Sequence, residues 1–224
     1  NKRIFDFFIE AAKDIEENSD VYIATGHGAD EFNDLDVKCI YNDKYSETNM
    51  LYTLWNSLKH INIKDRSLFV SYSDIIFPSD TFSKISTKNE MTIAVDTRWE
   101  PNYVGRTLHG IDQCEKCLID SDNNLLTCSK KLPFQNSLYS EYLGILYIPS
   151  ILTLQIKEKL DQVFSRKYLP NPFMFSDSLK QSYITDFLSY LVCQGSKIQC
   201  VDIIDKWFEI DTEQDVINAQ KILK

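Results

Sequence analysis

The sequence predicts an α/β protein: a three-layer, Rossmann-like and mainly parallel sheet with helices on both faces and a small antiparallel addition. Three observations carry this expectation. Short β-rich runs alternate with helical periodicities up to about residue 97, the pattern of strands covered by helices. Beyond that point, strand-like runs follow one another with no long helix between them, which points to antiparallel pairing. No internal repeat or low-complexity linker divides the 224 residues, so 1–224 is expected to form one domain.

The elements can be justified in chain order. Ile4, Phe5, Phe8, Ile9, Ala12 and Ile15 recur at helical spacing, so residues 3–17 read as an amphipathic helix. Residues 21–25 form a β-rich run closed by Gly26-His27-Gly28, a glycine pair that permits a tight strand-to-helix turn. A short helix, a strand over 38–41 and a polar loop follow. Residues 50–60 place Leu51, Leu54, Trp55 and Leu58 on one helical face. Leu68-Phe69-Val70 opens a strand that ends at Ser73-Asp74, and Ser79 and Asp80 suit the cap of the next helix. Residues 91–95 alternate into a strand leading to Asp96. Runs over 108–119, 124–129 and 141–149 make the antiparallel part. Helices near 151–165 and 177–193 are separated by Pro170 and Pro172. Residues 198–204 form a strand, and Thr212-Glu213-Gln214-Asp215 resembles a capping box for a final helix.

Composition bounds the function. With 43% apolar and 25% charged residues the chain can bury a substantial core. A net charge of −9 argues against a general nucleic-acid binder, which would carry a basic stripe. A nucleotide site stays open, because one metal ion and one or two local Lys or Arg side chains suffice there. The longest apolar stretches, such as 142–148, are too short to span a bilayer, and the first residues do not read as a signal peptide. No membrane partner is expected, and a reducing, cytoplasmic setting is. The cysteines at 39, 114, 117, 128, 193 and 200 sit mostly in strand-like contexts. Cys114-x-x-Cys117 has the spacing of half a zinc site, but no second pair follows, so these thiols read as core packing.

Ligands of open α/β sheets bind outside the carboxyl ends of the strands. Thr25-Gly26-His27, Ser73-Asp74 and Glu209-Ile210-Asp211 fall at such ends. Asp74 precedes the apolar Ile75-Ile76-Phe77, where a carboxylate is costly unless it is paired or binds a cation. Asp211 precedes the last helix, whose N-terminus a carboxylate stabilises. Taken singly, each aspartate reads first as structural. Arg98 and Arg106 suit a second anionic group. Trp99, Tyr103 and Trp207 could box a quaternary ammonium, with core packing as the plainer reading. His27 reads as a local turn residue, and His60 and His109 carry no partner pattern.

In their surroundings the aspartates read differently. Tyr41-Asn42-Asp43-Lys44-Tyr45 with Thr48-Asn49, Ser71 to Phe77, Val95 to Trp99 with Tyr103 and Arg106, Glu115-Lys116, Glu141 to Ile145 and Trp207 to Thr212 follow one another in order. In that order they resemble the motifs of the small nucleotidyltransferases, of the choline-phosphate and 2-aminoethylphosphonate cytidylyltransferase type. The resemblance implies that Asp74 and Asp211 bind Mg²⁺ with Glu209 in support, and that Thr48 and Asn49 face the nucleotide base. It further implies that Lys116 grips the acceptor's phosphoryl group and that Glu115 faces the substrate. The implied substrates are a nucleoside triphosphate, CTP favoured, and a small phosphorylated or phosphonylated molecule; a homodimer is left open. Two anions must approach in such a reaction, so a cation and a lysine offset their repulsion. Mg²⁺ takes one or two carboxylates together with phosphates and water, as the aspartate pair would provide. The attacking oxygen is already ionised, so positioning supplies most of the catalysis.

The family also opens with a strand and a glycine-rich loop whose backbone N–H groups hold the triphosphate. That segment, about 20–30 residues, is expected to be absent here, since Gly26-x-Gly28 is too short to replace it. A sugar-1-phosphate nucleotidyltransferase and a non-catalytic nucleotide-binding or interaction domain are the rival readings.

Overall fold

A computed structural model describes residues 3–17, 19–32, 37–86, 89–133, 138–165, 171–204 and 207–222. The chain runs α1 (Ile4–Ile15), β1 (Tyr22–Thr25), β2 (Lys38–Tyr41), α2 (Met50–Leu58), β3 (Leu68–Ser71), β4 (Ile75–Ile76), α3 (Thr81–Ile85) and β5 (Met91–Asp96). It continues through β6 (Lys116–Ile119), β7 (Leu125–Ser129), β8 (Ser140–Ile148), α4 (Ser150–Phe164), α5 (Ile184–Cys193), β9 (Ile198–Asp202), β10 (Phe208–Glu209) and α6 (Glu213–Ile222).

The main sheet has the order β7-β6-β8-β5-β9, with β3 also paired to β8. Side chains that alternate along β5 divide two cores between its faces. Ile93 and Val95 pack with Leu51 and Leu54 of α2, Ile156 and Leu160 of α4 and Phe187 and Leu191 of α5. Ala94 turns the other way, to Ala11 and Ala12 of α1 and Phe82 and Ile85 of α3. Helices thus cover both faces, as the 3.6-residue periodicities predict. β8 is buried along its whole length.

The expected mainly parallel sheet is corrected to a mixed one. β8 runs antiparallel to β3, β5 and β6, and β6 antiparallel to β7. Only β5–β9 and the separate β1–β2 ribbon are parallel pairs among the described residues. The cause lies in β8. A strand buried on both faces reads as a continuous apolar run whatever the direction of its neighbours, so sequence alone does not reveal its polarity. β8 enters between β3 and β5 from the β6–β7 hairpin, and therefore opposes both.

β8 is also bent. Two extra residues separate its pairings with Ile93 and Val95, and Gly144 lies within this irregularity at φ +68°. Its carbonyl accepts from Tyr72 N at 3.0 Å, and a Cβ built there would meet the Tyr72 ring at 2.5 Å. Glycine is required on both counts. The bend lets one edge of β8 pair first with β6, through Ser140 and Glu141, and then with β3 from Ile145 onward.

The helix predicted over 177–193 is shorter, beginning at Ile184. The Asp186 carboxylate explains this by accepting from Phe175 N, Ser176 Oγ and Tyr183 N, which ties the preceding loop to the first turn. The capping box at α6 forms: Asp215 accepts from Thr212 N at 2.9 Å and Thr212 Oγ1 at 2.8 Å. The break assigned to Pro170 lies outside the described residues. No described helix is long and apolar enough to cross a membrane.

Candidate active site

Asp74 and Asp211 are brought together by the shortest ribbon in the fold. After β3 the chain turns at Ser73 and Asp74 into β4, which pairs antiparallel with β10 through Ile75 and Glu209. Ile210 N donates to Asp74 O at 2.7 Å and continues that ribbon. The apolar Ile75-Ile76-Phe77 run supplies the anchor, since all three side chains are buried. The three acidic groups of the sequence reading, Asp74, Glu209 and Asp211, therefore share one end of the sheet.

Their electrostatics show mutual repulsion in a poorly solvated place. Asp74 Oδ1 is buried with no hydrogen-bond partner. Burial and, less strongly, the Asp211 charge raise its carboxyl above the usual carboxylate range. Burial and the Asp211 charge likewise push Glu209 up to about 7, against the pull of Arg106. Among the described residues, one group of potential metal ligands closes to within 4.8 Å: His109, Glu209 and Asp211. Asp74 stands beside this group rather than within it.

Arg106, expected to meet an anionic substrate group, is placed among these carboxylates instead. Its guanidinium lies 3.5 Å from Glu209, 3.3 Å from Asp211 and 2.9 Å from Asp215, with its carbon 5.0 Å from the Tyr103 ring centre. Only 7% of the side chain is exposed. Arg98 sits at the exposed end of β5, its backbone N donating to Asp96 Oδ1 at 2.7 Å.

A small cavity here is lined by Tyr72, Asp74, Glu115, Lys130, Glu141, Trp207 and Glu209, among others. Glu115 accepts from Tyr72 OH at 2.8 Å and Thr185 Oγ1 at 3.3 Å, and burial raises its carboxyl to about 7 while Lys130 opposes the rise. Glu141 takes the Tyr103 hydroxyl on one oxygen, and its other oxygen is buried without a partner. Burial drives the Glu141 carboxyl well up. Four carboxyl groups held out of water in one cavity favour their protonated forms unless a cation or hydrogen-bond donors stabilise the anions.

The lysine facing this cavity is Lys130. Lys116 is buried at 3% exposure and donates through Nζ to Lys130 O at 2.7 Å, so it braces the end of the β6–β7 hairpin. Lys130, by contrast, acts electrostatically on Asp74, Glu115 and Glu209. Of the three aromatic residues considered for a box, Trp207 lines the cavity, donating through Nε1 to Asp96 at 2.8 Å. Trp99 and Tyr103 pack edge to face, and Trp99 Nε1 donates to Tyr139 O at 2.8 Å.

Thr48 and Asn49 belong to another part of the sheet end. Thr48 Oγ1 donates to Lys44 O and accepts from the buried Asn42, while Asn49 caps α2 and donates to Gln181 O. These bonds hold the 42–49 loop, whose Tyr45 joins Thr25, Gly26, His27, Gly28 and Tyr41 around a second concavity. Lys130 and His109 escape sequence reasoning, and Glu141 enters it only as part of a motif with no role, because antiparallel pairing and ribbon contacts bring them in. The double lysine after β7 is the only local signal for the first.

No family model matches the sequence, and no curated protein does. Solved structures do match. The inositol-1-phosphate CTP transferase from T. maritima is 18% identical, with a TM-score of 0.64 over 95% of this chain and 78% of that one. The CTP:phosphocholine cytidylyltransferase from Streptococcus pneumoniae is 17% identical, with a TM-score of 0.66 over 100% of this chain and 86% of that one. The nucleoside-diphosphate-sugar pyrophosphorylase from Vibrio cholerae is 11% identical, with a TM-score of 0.64 over 97% and 87%. At these identities the likeness establishes the fold, which is that of nucleotidyltransferases.

Proposed function

We propose that the protein is a metal-dependent nucleotidyltransferase that joins the nucleoside monophosphate of CTP to a small, amine-bearing phosphate or phosphonate and releases pyrophosphate. One observation carries the reading: four carboxyl groups, Asp74, Glu115, Glu141 and Glu209, line one small cavity with a single lysine, Lys130, and Asp211 stands beside them. At about 20 Å³ the cavity has room for a bare ammonium group, whose anionic tail would reach the lysine, and a larger head would require it to widen. The fold supports it, since structures of the same fold include proteins named for CTP transfer to inositol 1-phosphate and to phosphocholine.

The donor set fits a divalent cation, because Asp74 Oδ1 is an orphaned buried oxygen facing other carboxylates. Asp74, Asp211 and Glu209 would hold Mg²⁺ or a related ion, which would neutralise phosphate charge. In the reaction an acceptor oxygen bonds to the α-phosphorus while the bond to the β-phosphate oxygen breaks, and pyrophosphate carries away the electron pair. Lys130 meets the acceptor's phosphoryl group, and Lys116 positions it through the Lys130 carbonyl. Glu115 and Glu141 receive the amine, with Tyr72 and Thr185 orienting Glu115. Thr48 and Asn49 hold the loop of Tyr45, which forms part of the concavity assigned to the base.

The test is pyrophosphate release with each nucleoside triphosphate against choline phosphate, 2-aminoethylphosphonate and glucose 1-phosphate in Mg²⁺. Turnover is expected with CTP and one of the two amine-bearing acceptors. A preference for the hexose phosphate would overturn the amine assignment, and no turnover with any pair would overturn the enzyme reading.

A further inference from the structure

We propose that the substrate of this cavity carries a primary ammonium group, held through its N–H donors by Glu141 and Glu115, and that the cavity excludes a trimethylated head. The inference rests on the nucleotidyltransferase reading above and narrows its amine-bearing substrates to one class.

Volume gives the first argument. The cavity measures about 20 Å³, and one water-sized occupant needs roughly 10–15 Å³. An ammonium group is of that size. A trimethylammonium head replaces its three hydrogens by methyl groups, each about as large as the ammonium itself. The walls are tied in place against such a head. Tyr72 is fixed by its backbone bond to Gly144 and its hydroxyl bond to Glu115, and Trp207 by its bond to Asp96.

Hydrogen bonding gives the second. Glu141 lines the cavity and is 4% exposed. One of its oxygens takes the Tyr103 hydroxyl, and the other is buried with no partner. Glu115 accepts from Tyr72 OH on one oxygen and from Thr185 Oγ1 on the other, which leaves each oxygen a lone pair. A primary ammonium brings three N–H donors to these acceptors. A trimethylammonium brings none, and would seal the free Glu141 oxygen away from every donor. A water molecule of the same size would supply donors, but no charge to a cavity with four carboxyl groups and one lysine.

The aromatic residues give the third. Quaternary ammonium heads are recognised by ring faces gathered around them. Here Arg106 already lies over the Tyr103 ring, its guanidinium carbon 5.0 Å from the centre, and Trp99 packs edge to face on the same residue. Tyr72 and Tyr142, which do line the cavity, pack edge to face on each other at 5.8 Å between centres. The rings that would build a cage are committed to one another.

The experiment is calorimetric titration of the purified protein with Mg²⁺ and a CTP analogue whose α and β phosphorus atoms are bridged by methylene, so that pyrophosphate cannot leave. The titrants are 2-aminoethylphosphonate and ethanolamine phosphate, each against its N-trimethyl counterpart. The primary amine of each pair should bind at least about 100-fold more tightly. In Glu141→Gln that ratio should shrink about ten-fold, mainly through weaker binding of the primary amine. The wild-type ratios decide the matter even if the variant fails to fold. Equal affinities within a pair, or tighter binding of the trimethylated member, would overturn the inference and leave the nucleotidyltransferase reading standing. Selectivity for the primary amine without pyrophosphate release from CTP itself would sustain the inference and overturn that reading. No binding of any of the four would overturn both.

Discussion

At the scale of residues, burial sets the chemistry of this site more than any single partner does. Glu115 shows it: desolvation lifts its carboxyl to about 7, and the Tyr72 and Thr185 hydrogen bonds and Lys130 only moderate the rise. A carboxyl raised in the folded state contributes stability that is full below the ordinary carboxylate range and lost as pH climbs through about 7. The unliganded protein should therefore lose stability between mildly acidic and mildly alkaline pH, and Glu115→Gln should flatten that loss. Binding of a cationic acceptor runs the other way, since the ionised carboxylate is the better partner. Calorimetric titration with 2-aminoethylphosphonate from about pH 6 to about pH 8 should show affinity rising more steeply in the wild type than in Glu115→Gln. Equal slopes in the two proteins would remove Glu115 from the site. Asp74, Glu209 and Asp211 were singled out by the ordered motifs they belong to, since each aspartate read alone is first a structural residue at a strand end or helix cap. Lys130 and His109 were not, and Glu141 was seen in a motif without a role, because no local pattern states which strands oppose each other. Lys116 was legible as a lysine at the start of a strand, but its position at the hairpin, with its ammonium on the Lys130 carbonyl, depends on the β6–β7 register.

Among the elements, β8 connects fold to site. Its apolar run was legible as a strand, while its direction and its bend were not. The bend places Tyr72 against Gly144 and lets the same strand carry Glu141 into the cavity and Leu146 into the core. Gly144→Ala should be destabilising by about 1–3 kcal/mol, because alanine at φ +68° is strained and its Cβ would contact the Tyr72 ring at 2.5 Å. Chemical denaturation measures this directly. Activity should fall beyond the loss of folded protein, since a displaced Tyr72 releases its bond to Glu115. An unchanged midpoint would mean that β8 is not held by this contact. The α2, α4 and α5 helices were more legible, since their apolar faces repeat every three to four residues and pack on one sheet face.

For the molecule as a whole, a mixed sheet with helices on both faces collects Asp74, Glu209 and Asp211 around the β4–β10 ribbon at one end, with Arg106 and His109 against them, and carries a lysine there on the β6–β7 hairpin. The net charge of −9 gives no hint of an anionic substrate, and the cavity sets one lysine, Lys130, among four carboxyl groups. The central claim is that nucleotidyl transfer takes place at this end. Its most direct test is steady-state pyrophosphate release by Asp74→Asn against wild type, at saturating divalent metal and with matched thermal unfolding. The account predicts a loss of at least about 100-fold in the variant with an unchanged melting transition; a variant rate close to wild type would contradict it.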